Sequence, residues 1–238
     1  MKVPAKLLWS LDPLRGKYSD EDVFRLGSMV EPTSVAYNAV IERGGGIRPG
    51  DNVVILGSGP VGMAAIAILK RAGAANVILS EPEPARRELG MKMGADHTID
   101  PLNEDFAARV LEITEGMGAA LYLEATGLPT QVFPGIEQAI WDGRELNATV
   151  VIVARADAKI PLTGEVFQVR RAKVVGSQGH SGHGTFPRVI QAMASGMNML
   201  PMMTKEISLE EVPDNIVLLR TDRKECKISC RAPGAATK

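Results

Sequence analysis

The sequence is poor in cysteine, in excess charge of either sign and in long hydrophobic runs. Its 238 residues contain only Cys226 and Cys230, which excludes a disulfide framework, and we interpret the pair as free thiols on one face of a terminal strand. A formal net charge of -1 argues against nucleic acid or an acidic membrane surface as a partner. The N-terminus lacks the apolar run of a secretory signal, and the hydrophobic stretch from Val61 stops at Lys70, too short to span a membrane. We therefore expect a cytoplasmic protein.

What the chain does contain is an alternation of strands and helices that begins at Asn52. The run NVVIL is apolar almost throughout, as expected of a strand buried on both faces. Six strands separated by helical segments are predicted, at residues 52–56, 77–80, 97–100, 120–124, 149–153 and 174–177. Parallel strands joined by crossover helices predict an α/β fold with a doubly wound, six-stranded parallel sheet of the Rossmann type.

Prolines and glycines suggest how the chain is divided. Residues 1–30 contain early prolines and glycines, and we expect them to form an irregular lead-in. A helix is predicted over residues 32–43, with Pro32 in its first turn and three glycines at its end, and another over 134–141, starting at Pro134. The nucleotide-binding unit would span residues 31–205. A helix at 209–219 and a strand at 227–229 would follow within residues 206–238.

A glycine-rich turn joins the first strand to the apolar helix after it. Its residues have the pattern G-x-G-x-x-G and are Gly57, Ser58, Gly59, Pro60, Val61 and Gly62. The first glycine permits a tight turn, the second lets the backbone approach a pyrophosphate, and the third lets helix and strand pack closely. The phosphates would lie at the helix N-terminus, where free N–H groups and the helix dipole favour an anion. The context favours a dinucleotide over a plain strand–helix turn.

An acid at the end of the second strand completes this pattern. Glu81 follows VILS at the expected spacing, and its carboxylate can accept hydrogen bonds from both hydroxyls of the adenosine ribose while repelling a 2′-phosphate. NAD is therefore expected over NADP, although Arg86 and Arg87 could accommodate a 2′-phosphate. A methyltransferase would also place an acid here, but the third glycine favours a dinucleotide.

Several sequence stretches resemble one family. VEPTSVA at 30–36, GSGPVG at 57–62 and KMGAD at 92–96 together resemble the medium-chain, zinc-dependent alcohol and polyol dehydrogenases. EATG at 124–127, VARAD at 153–157 and GSQGHSGHG at 176–184 resemble the branch acting on inositol-type and sorbitol-type polyols, scyllo-inosose dehydrogenase-like enzymes in particular. The resemblance extends from about Trp9 onward. It implies an oxidoreductase that passes hydride from a secondary alcohol of a small-molecule polyol to NAD.

The resemblance also implies where residues lie along the cofactor. Arg86 would lie near the adenosine ribose. Two groups would line the remainder, Ala125 and Thr126 at a cofactor ribose and Val153, Ala154, Arg155, Ser177 and Gln178 beside the nicotinamide.

Zinc is the point at which the chain departs from the resemblance. In the full-length family an N-terminal, barrel-like domain supplies the catalytic zinc ligands, and zinc acts as a Lewis acid on the alcohol. Glu31 matches one zinc-associated position, but one carboxylate cannot hold a metal that needs three protein ligands. We expect the chain to begin near the last strand of that domain, without retaining zinc. The alternative for Glu31 is a helix-start acid that stabilises the helix dipole.

These considerations leave alternatives open and identify no catalytic residue. We expect NAD binding with little dehydrogenase activity, in a homodimer or higher homo-oligomer that associates through residues 159–162. The alternatives are a stand-alone NAD-binding and dimerisation module, or a zinc-free, quinone-reductase-like oxidoreductase. His180 and His183 have a spacing that permits a metal pair, but we favour a loop that contacts the cofactor or a neighbouring domain.

Overall fold

A computed structural model describes residues 2–180, 184–219 and 221–231 of the chain. The α-helices are α1 (Asp20–Tyr37), α2 (Pro60–Arg71), α3 (Pro84–Met93), α4 (Phe106–Ile113), α5 (Pro129–Asp142), α6 (Gly164–Arg170), α7 (Thr185–Ala194) and α8 (Val212–Leu218). The strands are β1 (Asn52–Leu56), β2 (Asn76–Ser80), β3 (His97–Ile99), β4 (Leu121–Glu124), β5 (Thr149–Ile152), β6 (Lys173–Gly176), β7 (Met203–Ser208) and β8 (Lys227–Arg231). A π-helical segment, Asn38–Arg43, continues α1 directly.

Strands β1 to β6 form one parallel sheet in the order β3-β2-β1-β4-β5-β6, which confirms the predicted doubly wound fold. Alternate residues of β1 enter different cores, because successive side chains of a strand point to opposite faces. Val53 and Ile55 pack in the core that includes α2, and Val54 and Leu56 pack in the core that includes α5. The order reverses between β1 and β4, and in such sheets ligands bind beyond the carboxyl ends of the strands at this point.

The N-terminal part of the chain corrects two expectations. Helix α1 starts twelve residues before Pro32, so residues 1–30 are not irregular throughout and Pro32 lies inside the helix. The Ser19 side chain caps it by accepting a hydrogen bond from Asp22 N, and Val23 and Leu26 begin its buried face. Proline is a strong signal for the first turn of a helix, but the serine cap and the apolar period before it outweigh that signal here.

Other boundaries also differ from the prediction. Helix α5 starts at Pro129, five residues before Pro134, because another proline occupies its first turn. Helix α6 and strand β7 were not predicted, and β7 pairs in parallel with β8 in a separate two-stranded sheet. The division of the chain at residues 31 and 206 stays a prediction, although both boundaries fall inside elements.

The two thiols are free, as predicted, but they do not share a face of one strand. Cys226 precedes β8 and is buried, whereas Cys230 lies within β8 and is exposed. Among the residues described, no helix combines the length and the apolar character needed to cross a membrane.

Candidate functional site

The turn after β1 lies against the loop after β4, at the carboxyl edge of the sheet. Gly57 has a φ of +94°, in the region that favours glycine. A Cβ at Gly57 would lie 3.0 Å from the carbonyl oxygen of Ala125 and 3.1 Å from Cγ2 of Thr126. The predicted turn residue and these two predicted ribose contacts are therefore brought together.

The other two glycines differ sharply in their surroundings. A Cβ at Gly62 would lie 2.0 Å from the carbonyl oxygen of Gly57, so only glycine fits between helix and turn. A Cβ at Gly59 would meet nothing within 4 Å. Gly59 occupies the N-cap of α2, no side chain caps that helix end, and Pro60 fills its first turn. The open space thus adjoins a helix N-terminus, which attracts anions.

Glu81 follows β2 directly and is only 6% exposed. Its Oε2 accepts hydrogen bonds from Ser58 N at 3.0 Å and from Ser58 Oγ at 2.5 Å. Its Oε1 accepts from Glu83 N at 2.9 Å. A carboxylate offers about four acceptor positions, so these donors take three of them. Glu81 therefore stabilises the glycine turn through hydrogen bonds. The sequence did not reveal this role, because residue spacing does not show which donors reach the carboxylate.

The segment before β8 packs against the same turn. Sγ of Cys226 lies 3.9 Å from the carbonyl oxygen of Ser58, and Nη2 of Arg86 donates to the carbonyl oxygen of Glu225 at 2.8 Å. Burial raises the pKa of the Cys226 thiol to about 11, against a smaller opposing effect of the Arg86 charge. The thiol is thus neutral near pH 7, and Arg86 is partly engaged by the chain itself.

Glu124, at the end of β4, shapes the next loop. It is fully buried, and its Oε1 accepts from Thr126 N at 2.8 Å, from Thr126 Oγ1 at 2.6 Å and from Gly127 N at 2.9 Å. Within the described part of the chain its Oε2 has no hydrogen-bond partner. The sequence alone assigned no role to Glu124 within the EATG stretch. A sequence signal for this role was available, because Glu124 precedes Thr126 and Gly127 by two and three residues and a side-chain carboxylate at that spacing can accept from backbone N–H groups of a turn.

The ends of β5 and β6 complete this edge of the sheet. The N–H groups of Val153 and Ala154 both donate to the carbonyl oxygen of Glu124, at 3.0 and 3.3 Å. Ser177 N donates to the carbonyl oxygen of Ile152 at 2.9 Å. Both segments are thereby joined to the strands beside them.

The side chains there differ in exposure. Arg155 and Gln178 are exposed, whereas Val153, Ala154 and Ser177 are partly buried. The structure thus places the five predicted nicotinamide-side residues along the edge that also carries the glycine turn. Their cofactor contacts stay predictions.

The residues considered for metal binding are not clustered. Glu31 lies on an exposed position in the middle of α1, so its interpretation as a helix-start acid is wrong. Its zinc-associated role stays a prediction. Across residues 2–180, 184–219 and 221–231, no three His, Cys, Asp or Glu side chains group as a metal site. His180 is exposed with its ring 4.8 Å from that of Phe186, and His183 lies outside the described residues.

A turn and sheet edge of this kind define a Rossmann-type α/β fold, and comparison with known proteins identifies the family. The model of the zinc-binding dehydrogenases matches residues 60–195, more than half of the chain. The chain therefore belongs to the zinc-binding dehydrogenase family.

Individual relatives agree with this assignment. The chain is 64% identical over 229 residues to the scyllo-inosose 3-dehydrogenase of Thermotoga maritima, covering 96% of this chain and 58% of that protein. It is 31% identical over 224 residues to an L-threonine 3-dehydrogenase of Caldanaerobacter subterraneus, covering 92% of this chain and 60% of the relative. The chain thus spans about three fifths of the length of these curated relatives.

Solved structures show the same fold. An alcohol dehydrogenase structure from Thermotoga maritima has a TM-score of 0.94 and 64% identity, with 96% of this chain and 58% of that chain covered. The 2R,3R-butanediol dehydrogenase of Bacillus subtilis has a TM-score of 0.77 and 28% identity, with 92% and 59% covered.

Proposed function

We propose that this chain binds NAD along the carboxyl edge of the sheet and forms the cofactor half of a polyol dehydrogenase. The observation that carries the proposal is the open space at Gly59 beside the uncapped N-terminus of α2. Only a glycine leaves that space free for a pyrophosphate, and the first-turn N–H groups would hold the phosphates. The nicotinamide of a bound NAD would supply the carbon that accepts hydride from the alcohol.

The choice of NAD over NADP rests on Glu81. Its buried carboxylate lies beneath the turn, and a 2′-phosphate near it would be repelled. Three acceptor positions are already taken, so Glu81 has about one position left for a ribose hydroxyl, not the two expected from the sequence. Of the two arginines that could favour a 2′-phosphate, Arg86 donates to the carbonyl oxygen of Glu225 and Arg87 donates to the carbonyl oxygens of Glu81 and Pro82.

For the substrate we propose a polyol or a related cyclic alcohol. Support comes from the 64% identity to a scyllo-inosose 3-dehydrogenase. A catalytic zinc needs three protein ligands, and the described residues do not group three. Zinc therefore does not fit within this part of the chain. We propose that the chain by itself binds cofactor and transfers little hydride.

We further propose that two copies associate at β6. This strand is at the edge of the described sheet and has one neighbour, β5. An edge strand presents unpaired N–H and C=O groups that a second copy can pair with. Leu162, in the predicted contact segment, is 50% exposed. This surface also keeps the second candidate function open, a stand-alone NAD-binding and dimerisation module.

Titration of the purified chain with NADH and NADPH, followed by ligand fluorescence, tests the proposal. We expect NADH to bind at least about tenfold more tightly than NADPH, a difference of about 1.4 kcal/mol. Equal affinities would overturn the argument from Glu81 while leaving dinucleotide binding intact. If neither NADH nor NADPH binds, the proposed function as a whole is overturned. Zinc-dependent polyol oxidation by this chain would contradict the proposal that it has little activity.

A further inference from the structure

The π-helical segment Asn38–Arg43 contacts the loop that follows β6. Asn38 is 3% exposed, and its Nδ2 donates to Ser177 Oγ and to the carbonyl oxygen of Gly179, both at 3.2 Å. Nε of Arg43 donates to the carbonyl oxygen of Gly176 at 3.1 Å. The start and the middle of the loop are thus both tied to one helical segment that is distant in sequence.

The chemistry of these contacts fixes the orientation of the Asn38 amide. The carbonyl oxygen of Gly179 is an acceptor only, so the amide nitrogen, not the oxygen, must face it. The Ser177 hydroxyl then accepts the second amide hydrogen. Both hydrogens of one buried amide are thus donated to this loop.

The helical geometry allows these contacts. The segment closes with a hydrogen bond from Gly44 N to the carbonyl oxygen of Ala39 at 2.8 Å, five residues back. A π-turn contains one more residue than an α-turn closed by a four-residue bond, and such turns occur frequently at functional sites. Asn38 directly precedes this turn and Arg43 lies within it, and both side chains reach the loop at the carboxyl edge of the sheet.

We propose that Asn38, supported by Arg43, is a positioning residue for the nicotinamide half of the NAD site. The inference rests on the proposed NAD function, because Ser177 and Gln178 in this loop are the residues assigned to the nicotinamide. Asn38 acts through the loop and does not itself touch the cofactor. Its loss should weaken ligands that contain the nicotinamide and spare ligands that end at the second ribose.

The first test compares NADH with ADP-ribose, which lacks the nicotinamide. For Asn38→Ala we expect about tenfold weaker NADH binding, the loss that follows when a loop gives up two hydrogen bonds, and ADP-ribose affinity within about twofold of wild type. Glu42→Gln is the matched control, because its ion pair with Arg188 at 3.2 Å lies on the exposed side of the same segment. It should change neither affinity. Equal loss of both ligands, or loss of neither, would overturn the inference.

The second test needs no cofactor and also detects a variant that fails to fold. Backbone hydrogen exchange over residues 176–180 should be faster in Asn38→Ala and in the isosteric Asn38→Asp than in wild type, and unchanged in Glu42→Gln. A folded Asn38 variant with wild-type exchange there would overturn the positioning role. A wild-type chain that binds neither NADH nor ADP-ribose would instead overturn the proposed function, and the inference with it.

Discussion

The glycine turn after β1 and the loop after β6 lie at the same edge of the sheet but are held by different means. The turn is fixed by backbone contact at Gly62 and by the buried carboxylate of Glu81. The loop is held by side chains from a distant helical segment, and its strand is exposed or only partly buried along its whole length. The proposed pyrophosphate end is therefore held by close backbone packing and a buried carboxylate. The proposed nicotinamide end is held by a few side-chain hydrogen bonds that single substitutions can remove.

The largest expected effect comes from closing the space at Gly62. In Gly62→Ala the new Cβ would lie 2.0 Å from the Gly57 oxygen, so turn and helix must separate. The gain of about 1 kcal/mol that alanine brings to a helix is smaller than an overpacking cost of about 3 kcal/mol. Urea unfolding should show a net loss of about 2 kcal/mol or more, with NADH binding abolished. Stability equal to wild type would contradict the steric account.

Gly59→Ala is the matched control within the same turn. Gly59 has a φ of -65°, and its Cβ would meet nothing within 4 Å. Stability should therefore change by less than about 1 kcal/mol. NADH affinity should still fall about tenfold or more, since the methyl group enters the space proposed for the pyrophosphate. Unchanged NADH affinity would show that the pyrophosphate lies elsewhere.

A pair of serine substitutions compares the two regions directly. Ser58→Ala removes a hydroxyl that is hydrogen-bonded to a buried carboxylate and should cost about 2 kcal/mol. Ser177→Ala removes one acceptor of a neutral amide in a partly buried loop and should cost about 0.5 kcal/mol. Denaturant unfolding of both variants measures the difference. If Ser177→Ala lowers the free energy of unfolding as much as Ser58→Ala does, the loop after β6 is held as tightly as the turn after β1, and the proposed difference between the two regions is wrong.

The features that the sequence predicted are those that act over a few residues. The three glycines lie within six positions. The atoms that surround each of them determine whether a Cβ there would clash or would enter open space. The strands were found because burial on both faces leaves continuous apolar runs. The start of α1 was missed because Pro32 resembles a first-turn proline, although proline is tolerated inside this helix.

The features that the sequence could not show are contacts between distant positions. Ser58 and Glu81 are 23 residues apart, and spacing alone cannot tell whether the carboxylate faces a ribose or the turn. Asn38 and Ser177 are 139 residues apart, and the π-helical segment that begins at Asn38 has no simple sequence pattern. Such pairings depend on the assembled fold.

An effect confined to alkaline pH concerns Cys226, whose sulfur packs on the turn. Its pKa is raised by burial from 9.0 to about 11, so above about pH 9 the unfolded chain loses a proton that the folded chain keeps. This contribution to stability is complete below pH 9 and decreases as the pH rises toward 11, by roughly 1.4 kcal/mol at about pH 10. Unfolding of wild type and Cys226→Ala at about pH 8 and about pH 10 isolates it, because other groups titrate in both. If both proteins lose equal stability between these pH values, the thiol is accessible to water. The turn after β1 would then be packed less tightly than we infer, and it would differ less from the loop after β6.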